Sequence, residues 1–200
     1  LPGTHNAYSI GSSSVAQSGS DPTTGLVWGR WSGGAATVNV GGVSQPLSLD
    51  GRSLHYVFSP VENGPVALPL TGTANYELVG STSPTDNRGN VGTLNSATLN
   101  ANFSNRTVDT NVNLTIAGQT INGAANGVPI YREQYFSAFR GASPGGLPVP
   151  QQLVITCSPA CPSAGGSIDG FFTGRSGQGA GMMYNLNGAS GAAAFRRPGG

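Results

Sequence analysis

Two runs of alternating apolar and polar residues, joined by a short polar segment, constrain the fold of this chain more than any other feature. They cover residues 97–103 and 108–116, and every second position in them is apolar or Thr. Side chains of a strand point alternately to its two faces, so this period predicts two strands that each have one buried face. Residues 104–107, Ser-Asn-Arg-Thr, have the composition of a tight turn. The sequence therefore predicts an antiparallel hairpin whose apolar face must be covered by further strands.

The remainder of the chain is also typical of strands and turns. Of its 200 residues, 32 are Gly and 14 are Pro, and only 8% are charged. No long stretch has the apolar spacing of an amphipathic helix, which predicts an all-β fold. Further strands are predicted over residues 25–31, 36–40, 53–58, 72–80, 118–125, 134–139, 153–156, 167–174, 179–186 and 190–196.

The strands predicted after residue 70 favour a closed sheet. They number about eight, and so many antiparallel strands leave exposed edges unless the sheet closes on itself. Gly170, Gly181 and Gly191 lie inside these strands, where glycine is unfavourable unless the sheet bends sharply or backbones pack closely. Closing a barrel requires such features. We therefore expect an antiparallel β-barrel of about eight strands, preceded by an extended N-terminal region with additional strands.

Composition divides the chain into three parts. Residues 1–24 are rich in Ser and Gly and have little periodicity, so we interpret them as a flexible lead-in or arm. Residues 25–69 contain an aromatic strand and end in a proline-rich connector that cannot form a central strand. We expect them to form a small β element in front of the barrel, which spans residues 70–200. The chain starts without Met and without the regions of a signal peptide, which indicates a fragment or a mature chain.

The charge balance argues against a nucleic-acid partner, and the hydropathy argues against a transmembrane helix. Nine arginines and eight acidic residues give a formal charge of +1, and there is no lysine. A nucleic-acid-binding protein needs clustered cations, so we expect no nucleic-acid partner. No run of apolar residues is long enough for a transmembrane helix, and none is expected.

Two cysteines indicate the compartment. Cys157 and Cys161 flank a turn that contains Pro159, and the simplest interpretation is a disulfide that closes this turn. A zinc site would need two further ligands, and the two histidines are remote in sequence. A redox site is the other alternative, although the spacing is one residue longer than Cys-x-x-Cys and no helix follows. A structural disulfide predicts an exported protein.

Catalytic motifs are not evident in the sequence. No Gly-x-Ser-x-Gly elbow lies between a strand and a helix, and the Gly-rich segments connect strands rather than cradle a phosphate. The acidic residues are scattered, and no cluster has the spacing of a metal site. We therefore expect a protein that is not an enzyme and has no bound metal.

An aromatic strand and the strand at residues 53–58 supply candidate ligand-binding residues. Trp28 and Trp31 either stack on a ligand or, as is more common, have packing roles in which one fills the barrel interior and the other covers an edge or an end. His55 and Tyr56 are candidates for binding, and either is a candidate axial ligand if the cofactor is haem. For each of them, packing or an ordinary hydrogen bond is the more frequent role. Further candidate haem ligands are His5, Tyr131, Tyr135, Met182 and Met183.

Two long loops are the expected recognition surfaces. Loop 81–90 contains Asp86 and Arg88, and loop 140–152 begins with Arg140. Their Arg, Asn and Pro content suits a polar, weakly charged contact with a protein or another surface ligand. Asp86 is also a typical turn former.

Short segments in the C-terminal part of the chain carry a resemblance to a known family. They are Gly-Thr-Ala-Asn-Tyr at 72–76, Ala-Asn-Phe-Ser-Asn-Arg-Thr-Val at 101–108, Phe-Ser-Ala at 136–138, Gly-Phe-Phe-Thr-Gly at 170–174, Gly-Met-Met-Tyr at 181–184 and Gly-Ala-Ala-Ala-Phe at 191–195. In this order they resemble the eight-stranded β-barrel domain of transferrin-binding protein B-like surface proteins. The pattern is also similar to the barrel at the C-terminus of bacterial proteins with a FecR domain.

The resemblance covers roughly residues 70–197 and implies a fold and a broad function. Family members are bacterial surface proteins that recognise host iron proteins, haem or other ligands, mainly through variable loops. The segment Arg-Ser-Gly-Gln-Gly at 175–179 departs from the Pro-Asn-Ala-like turn usual in the family, which weakens any transfer of partner identity. The expectation is an exported domain at the cell surface, outer-membrane-associated or extracellular, that binds a protein or small ligand through barrel-end loops.

A structural role is the alternative expectation. A Ser/Gly-rich N-terminal arm before a barrel suits a subunit that donates a strand to a neighbour. Such a subunit would build a homo-oligomer, an extracellular filament or a surface layer.

Overall fold

The computed structural model describes residues 7–59, 66–132, 134–141, 152–161 and 164–199. The regular structure of these residues is entirely β, which confirms the predicted fold class. In the described part of the chain, no helix has the length and hydropathy needed to cross a membrane. The strands are β1 (Ala7–Ser9), β2 (Ser14–Asp21), β3 (Leu26–Ser32), β4 (Ala35–Val40), β5 (Val43–Ser48), β6 (Ser53–Phe58), β7 (Thr73–Ser81), β8 (Thr93–Asn102), β9 (Thr107–Ile116), β10 (Gln119–Tyr131), β11 (Tyr135–Arg140), β12 (Leu153–Ser158), β13 (Gly166–Thr173), β14 (Gly179–Leu186) and β15 (Ala189–Arg196).

Eight of these strands close into an antiparallel barrel. Neighbours pair in the order β7, β8, β9, β10, β11, β13, β14 and β15, and β15 pairs with β7 to complete the barrel. The predicted barrel of eight strands is therefore confirmed. Closure leaves the barrel strands without the two open edges that a flat sheet would have.

The predicted hairpin forms β8 and β9. Ala101 lies opposite Val108 and Ala97 opposite Val112, in the register expected from the alternating pattern. The apolar residues of both runs are buried, whereas the polar residues between them are exposed or half-buried. These buried side chains belong to one apolar core that fills the barrel.

The strand predicted at residues 118–125 continues further than the sequence indicated. β10 extends to Tyr131, and its pairing with β9 shifts register between Ala125 and Val128. After this bulge the strand continues past Pro129, which lies opposite Thr107 of β9 and beyond the end of the predicted strand. The first half of β10 pairs with β12 and its last residues pair with β11. The end of β10 thus pairs with β11, which closes the barrel, and the start of β10 pairs with β12, which adds a strand outside the closed ring.

The disulfide predicted between the two cysteines is present. Cys157 and Cys161 are bonded, and their Cα atoms are 5.5 Å apart. Cys157 lies near the end of β12, opposite Ile121 of β10. The bridge therefore closes the turn that follows the strand paired with β10.

The N-terminal region forms two three-stranded sheets, with the orders β2-β3-β6 and β1-β4-β5. The predicted flexible lead-in therefore differs from the structure, because residues 7–9 and 14–21 are paired strands. β5 is a further strand, which lies between the predicted strands at residues 36–40 and 53–58. All but the last side chain of β2 are exposed or half-buried, so the strand has no apolar period to detect. β5 contains Pro46, which an edge strand tolerates because one side of its backbone has no partner.

The sheet β2-β3-β6 packs on the outer face of the barrel. Leu26 and Trp28 of β3 form a buried cluster with Ala194 of β15, whereas the adjacent Ala193 and Phe195 face the barrel core. A Cβ atom at Gly80 of β7 would overlap the indole ring of Trp28. Trp28 is therefore a packing residue between two layers, and it does not fill the barrel interior. The division into parts at residues 25–69 and 70–200 stays a prediction.

The glycines inside the strands lie next to aromatic rings. Gly170 is the register partner of Phe136, and a Cβ atom at this glycine would overlap the phenyl ring. The same relation joins two further pairs in the barrel, Gly181 with Phe171 and Gly191 with Tyr184. The predicted close packing at these glycines is therefore present, but the close neighbour is a ring on the next strand.

Candidate functional site

A cleft of about 830 Å³ lies where the two N-terminal sheets meet the outer face of the barrel. All of β6 lines it, together with parts of β3, both outer strands of the sheet β1-β4-β5, and the barrel strands β14 and β15. The described lining residues include no Asp, Glu, Lys or Arg. They are Tyr8, Val27, Trp31, Leu47, Ser53, Leu54, His55, Tyr56, Val57, Phe58, Met183 and Ser190.

Aromatic rings form a continuous row along the cleft. The ring centroids of Trp31 and Tyr56 are 5.5 Å apart, and those of Tyr56 and Phe58 are 5.9 Å apart. Tyr56 lies over Gly29, its register partner on β3, where a Cβ atom would overlap the phenol ring. Tyr8 and Phe58 are 50% and 47% exposed, although both rings are largely apolar. We call Trp31, Tyr56 and Phe58 the aromatic row.

His55 faces the barrel side of β6 and is buried. Its Nδ1 and Nε2 atoms lie 2.8 Å from the hydroxyl oxygens of Thr82 and Thr85, respectively. The Thr82 hydroxyl oxygen also accepts a hydrogen bond from the backbone N–H of Ala192. Burial, with a smaller contribution from the positive charge of Arg30, lowers the pKa of His55 to about 4. The neutral imidazole therefore links β6 to loop 81–90 and, through Thr82, to β15.

This geometry does not fit His55 as an axial ligand of haem. A ligating imidazole must offer one ring nitrogen to the iron, but both nitrogens of His55 are engaged by threonines. Met182 is buried in the barrel core, where its sulfur accepts a hydrogen bond from Thr110. Of the candidates, Tyr56 and Met183 line the cleft. Tyr131 and Tyr135 pair with each other at the turn between β10 and β11, and His5 lies outside the described residues.

The loop residues predicted for recognition have structural partners. Asp86 accepts hydrogen bonds from the backbone N–H groups of Arg88 and Asn90, each at 2.9 Å, and therefore forms a turn. Arg140 donates to the carbonyl oxygen of Ile155 at 2.9 Å and joins β11 to β12. Asp86 and Arg88 line a smaller depression of about 300 Å³ outside the cleft. Residues 142–151 of the second loop lie outside the described part of the chain.

The structure brings only some of the predicted site residues together. Trp31, His55 and Tyr56 line the cleft, whereas Trp28 lies behind the sheet and Asp86, Arg88 and Arg140 lie elsewhere. Three further lining residues, Tyr8, Leu47 and Phe58, were not among the candidates predicted from the sequence. The alternation of β6 does contain a signal for Phe58, which shares a face with Tyr56.

Comparisons with known proteins leave the family open. No family model matches the chain, and no curated protein matches it. Among solved structures, one described as "Crystal Structure of Surface Lipoprotein" is similar, with 10% sequence identity and a TM-score of 0.44. The match covers 92% of this chain and 80% of that one. The barrel described above is established by the strand pairing of this chain, and the resemblance to transferrin-binding protein B-like barrels stays a prediction.

Proposed function

We propose that this chain is a non-enzymatic, exported binding module whose binding site is the cleft along β6. The observation that carries the proposal is the aromatic row, half-exposed in a cleft whose described lining has no charged residue at neutral pH. Binding sites are typically concave and mainly apolar, with volumes of roughly 300–1,000 Å³. The cleft has this size and this chemistry. Its occupant is accordingly a flat or extended apolar group without net charge.

This proposal moves the expected recognition surface from the barrel-end loops to the N-terminal sheets. In loop 81–90, Thr82 and Thr85 hold His55, and Asp86 builds a turn. Exposed apolar rings contribute more binding free energy per contact than solvated polar loops. The disulfide between Cys157 and Cys161 supports an exported location, since such bonds persist in oxidising compartments.

The alternative of a filament or surface-layer subunit requires an N-terminal arm that is free to pair with a neighbour. In the described part of that arm, β1 pairs with β4 and β2 pairs with β3 of the same chain. No specific observation therefore favours assembly through this arm over binding in the cleft.

The uncharged dye N-phenyl-1-naphthylamine tests the proposal, because its fluorescence rises in apolar surroundings. We expect the fluorescence to rise and saturate as the dye is titrated. The affinity for the dye should fall about tenfold in Phe58→Ser and in Tyr8→Ser, each of which removes a half-exposed ring. Tyr131→Ser is the matched control, since Tyr131 is 39% exposed and is not among the described residues of the cleft. Equal affinities in all three variants would place the dye elsewhere and contradict the proposal.

Haem is tested with hemin and one further variant, Tyr56→Phe. A titration with hemin in which the Soret band shifts, and in which Tyr56→Phe abolishes the shift, would identify haem with Tyr56 as the ligand. A Soret shift that is the same in Tyr56→Phe would show that hemin binds without Tyr56 as its ligand. If the dye binds and hemin does not, the ligand of the cleft belongs to a class other than haem.

A further inference from the structure

β6 is an edge strand of the sheet β2-β3-β6. Its pairing with β3 is unbroken from Phe58 opposite Val27 to Ser53 opposite Ser32. In an antiparallel pair, half of the backbone N–H and C=O groups of an edge strand point away from its partner. Among the described residues, no backbone group pairs with this second side of β6. The strand therefore presents an open row of hydrogen-bond donors and acceptors.

Two other edge strands of the N-terminal sheets carry features that oppose pairing, whereas β6 does not. β5 contains Pro46, whose nitrogen has no hydrogen to donate. β2 has a register shift between Val15 and Gln17, which interrupts the ladder. β6 has the sequence Ser-Leu-His-Tyr-Val-Phe, with no proline, no lysine and no register shift against β3. Of these three edges, β6 is the one able to accept another strand.

The cleft follows this open edge. All six residues of β6 line it, both those that face the barrel, such as His55, and those that face away, such as Tyr56. Consecutive residues of a strand point to opposite faces, so a space lined by all of them must run along the edge of the strand. The cleft therefore offers backbone pairing and apolar contacts in the same place.

We propose that the occupant of the cleft is an extended peptide segment of a partner protein, which pairs with β6 as a fourth strand of the sheet β2-β3-β6. The inference rests on the proposed function and names the partner class. Such strand addition obtains affinity from main-chain hydrogen bonds and specificity from pockets for alternate side chains. Apolar side chains at every second position contact the aromatic row, and the uncharged lining disfavours acidic or basic residues in the segment.

A second copy of the chain is a poorer occupant than a peptide segment. In that copy, β6 would lie in the same cleft, packed against β14 and β15 and bordered by Tyr8 and Leu47. For two such edges to pair, the layers that flank each of them would also have to fit against one another. A single extended segment has no flanking layers, so it can reach the edge.

The test uses the whole chain and a displayed library of random twelve-residue peptides. We expect the selected peptides to share apolar residues at every second position and to displace N-phenyl-1-naphthylamine. Each selected peptide is then synthesised in two forms, with N-methyl groups on one or the other alternate set of its amides. Only the form that blocks the amides facing β6 should lose affinity, by about tenfold or more, because several main-chain hydrogen bonds are removed.

The protein variants add a matched control for position. Phe58→Ser and Tyr8→Ser should lower the affinity of the protein for the selected peptides, and Tyr131→Ser should not.

Equal affinity of the two N-methylated forms would overturn strand addition, as would a library that yields no peptide while the dye still binds. In the latter case the cleft remains a site for small apolar molecules. Failure of both dye and peptides would overturn the proposed function itself. A dimer in light scattering that Phe58→Ser dissociates would identify a second copy as the occupant.

Discussion

The Nδ1 atom of His55 lies 2.8 Å from the hydroxyl oxygen of Thr82, which in turn accepts a hydrogen bond from the backbone of Ala192. This short chain of contacts connects the edge strand β6 to the outside of the barrel. Because His55 is buried, this chain of contacts requires the neutral form of its imidazole. The attachment of the N-terminal sheet to the barrel is therefore sensitive to acid.

We predict that the free energy of unfolding falls as the pH is lowered from about 6.5 to about 4. The folded state holds the pKa of His55 at about 4, below its ordinary value of 6.5, so the unfolded chain takes up a proton first and acid favours unfolding. This shift in pKa corresponds to roughly 3 kcal/mol in the free energy of unfolding. That stability is fully present above about pH 6.5 and is lost by about pH 4. Urea unfolding at several pH values measures it.

The test variant is His55→Gln. It should be less stable than the unaltered chain at pH 7 and should have a much flatter pH dependence in this window. Carboxyl groups also titrate near pH 4, so the difference in slope between this variant and the unaltered chain is the decisive quantity. The same slope in both proteins would exclude His55 as its source.

The strands that the sequence predicted well are those with one buried face. In β8 and β9 every inward residue is apolar or Thr, so the burial pattern and the sequence pattern have the same period. β2 and β5 bury few side chains and therefore carry no such period. Only their pairing with β3 and β4 defines them as strands, and this pairing depends on residues distant in the sequence.

The candidate site was predictable only in part, for a similar reason. Trp31 and Tyr56 were recognisable because aromatic residues in short strands commonly have a functional or packing role. Tyr8 and Met183 are separated by most of the chain, and only the folded structure brings both to the lining of one cleft. No local pattern in the sequence contains that information.

Gly170→Ala should destabilise the barrel by about 1–3 kcal/mol, because a methyl group there would overlap the ring of Phe136 in a closely packed core. Gly165→Ala is the control, since a Cβ atom at that position would lie 3.5 Å from the carbonyl oxygen of Arg140, an ordinary contact. Thermal or urea unfolding measures both. In the background of Phe136→Leu, the cost of Gly170→Ala should shrink, and an unchanged cost would show that the ring is not its cause.

Removing the disulfide should lower the free energy of unfolding by about 2 kcal/mol, the value expected for a short closed loop. The effect should be local at first, because β12 pairs with β10 near Cys157 and Cys161 without being one of the strands that close the barrel. Hydrogen exchange of the double variant Cys157→Ser/Cys161→Ser should accelerate in β12 before it does in β8 and β9. Uniform acceleration in all three strands would contradict this order.

The N-terminal sheets and the barrel should unfold in one transition. Leu26 and Trp28 share a buried cluster with Ala194 of the barrel, so neither part keeps its packing without the other. Both tryptophans lie in β3, and their fluorescence reports on the N-terminal sheet, whereas the far-ultraviolet circular dichroism is dominated by the barrel. The two signals should therefore give coincident urea curves.

Leu26→Ala should shift both curves together by about 2–5 kcal/mol, the usual cost of shortening a fully buried leucine. An earlier fluorescence transition would instead show that residues 25–69 form an independent unit, as the composition of the sequence suggests.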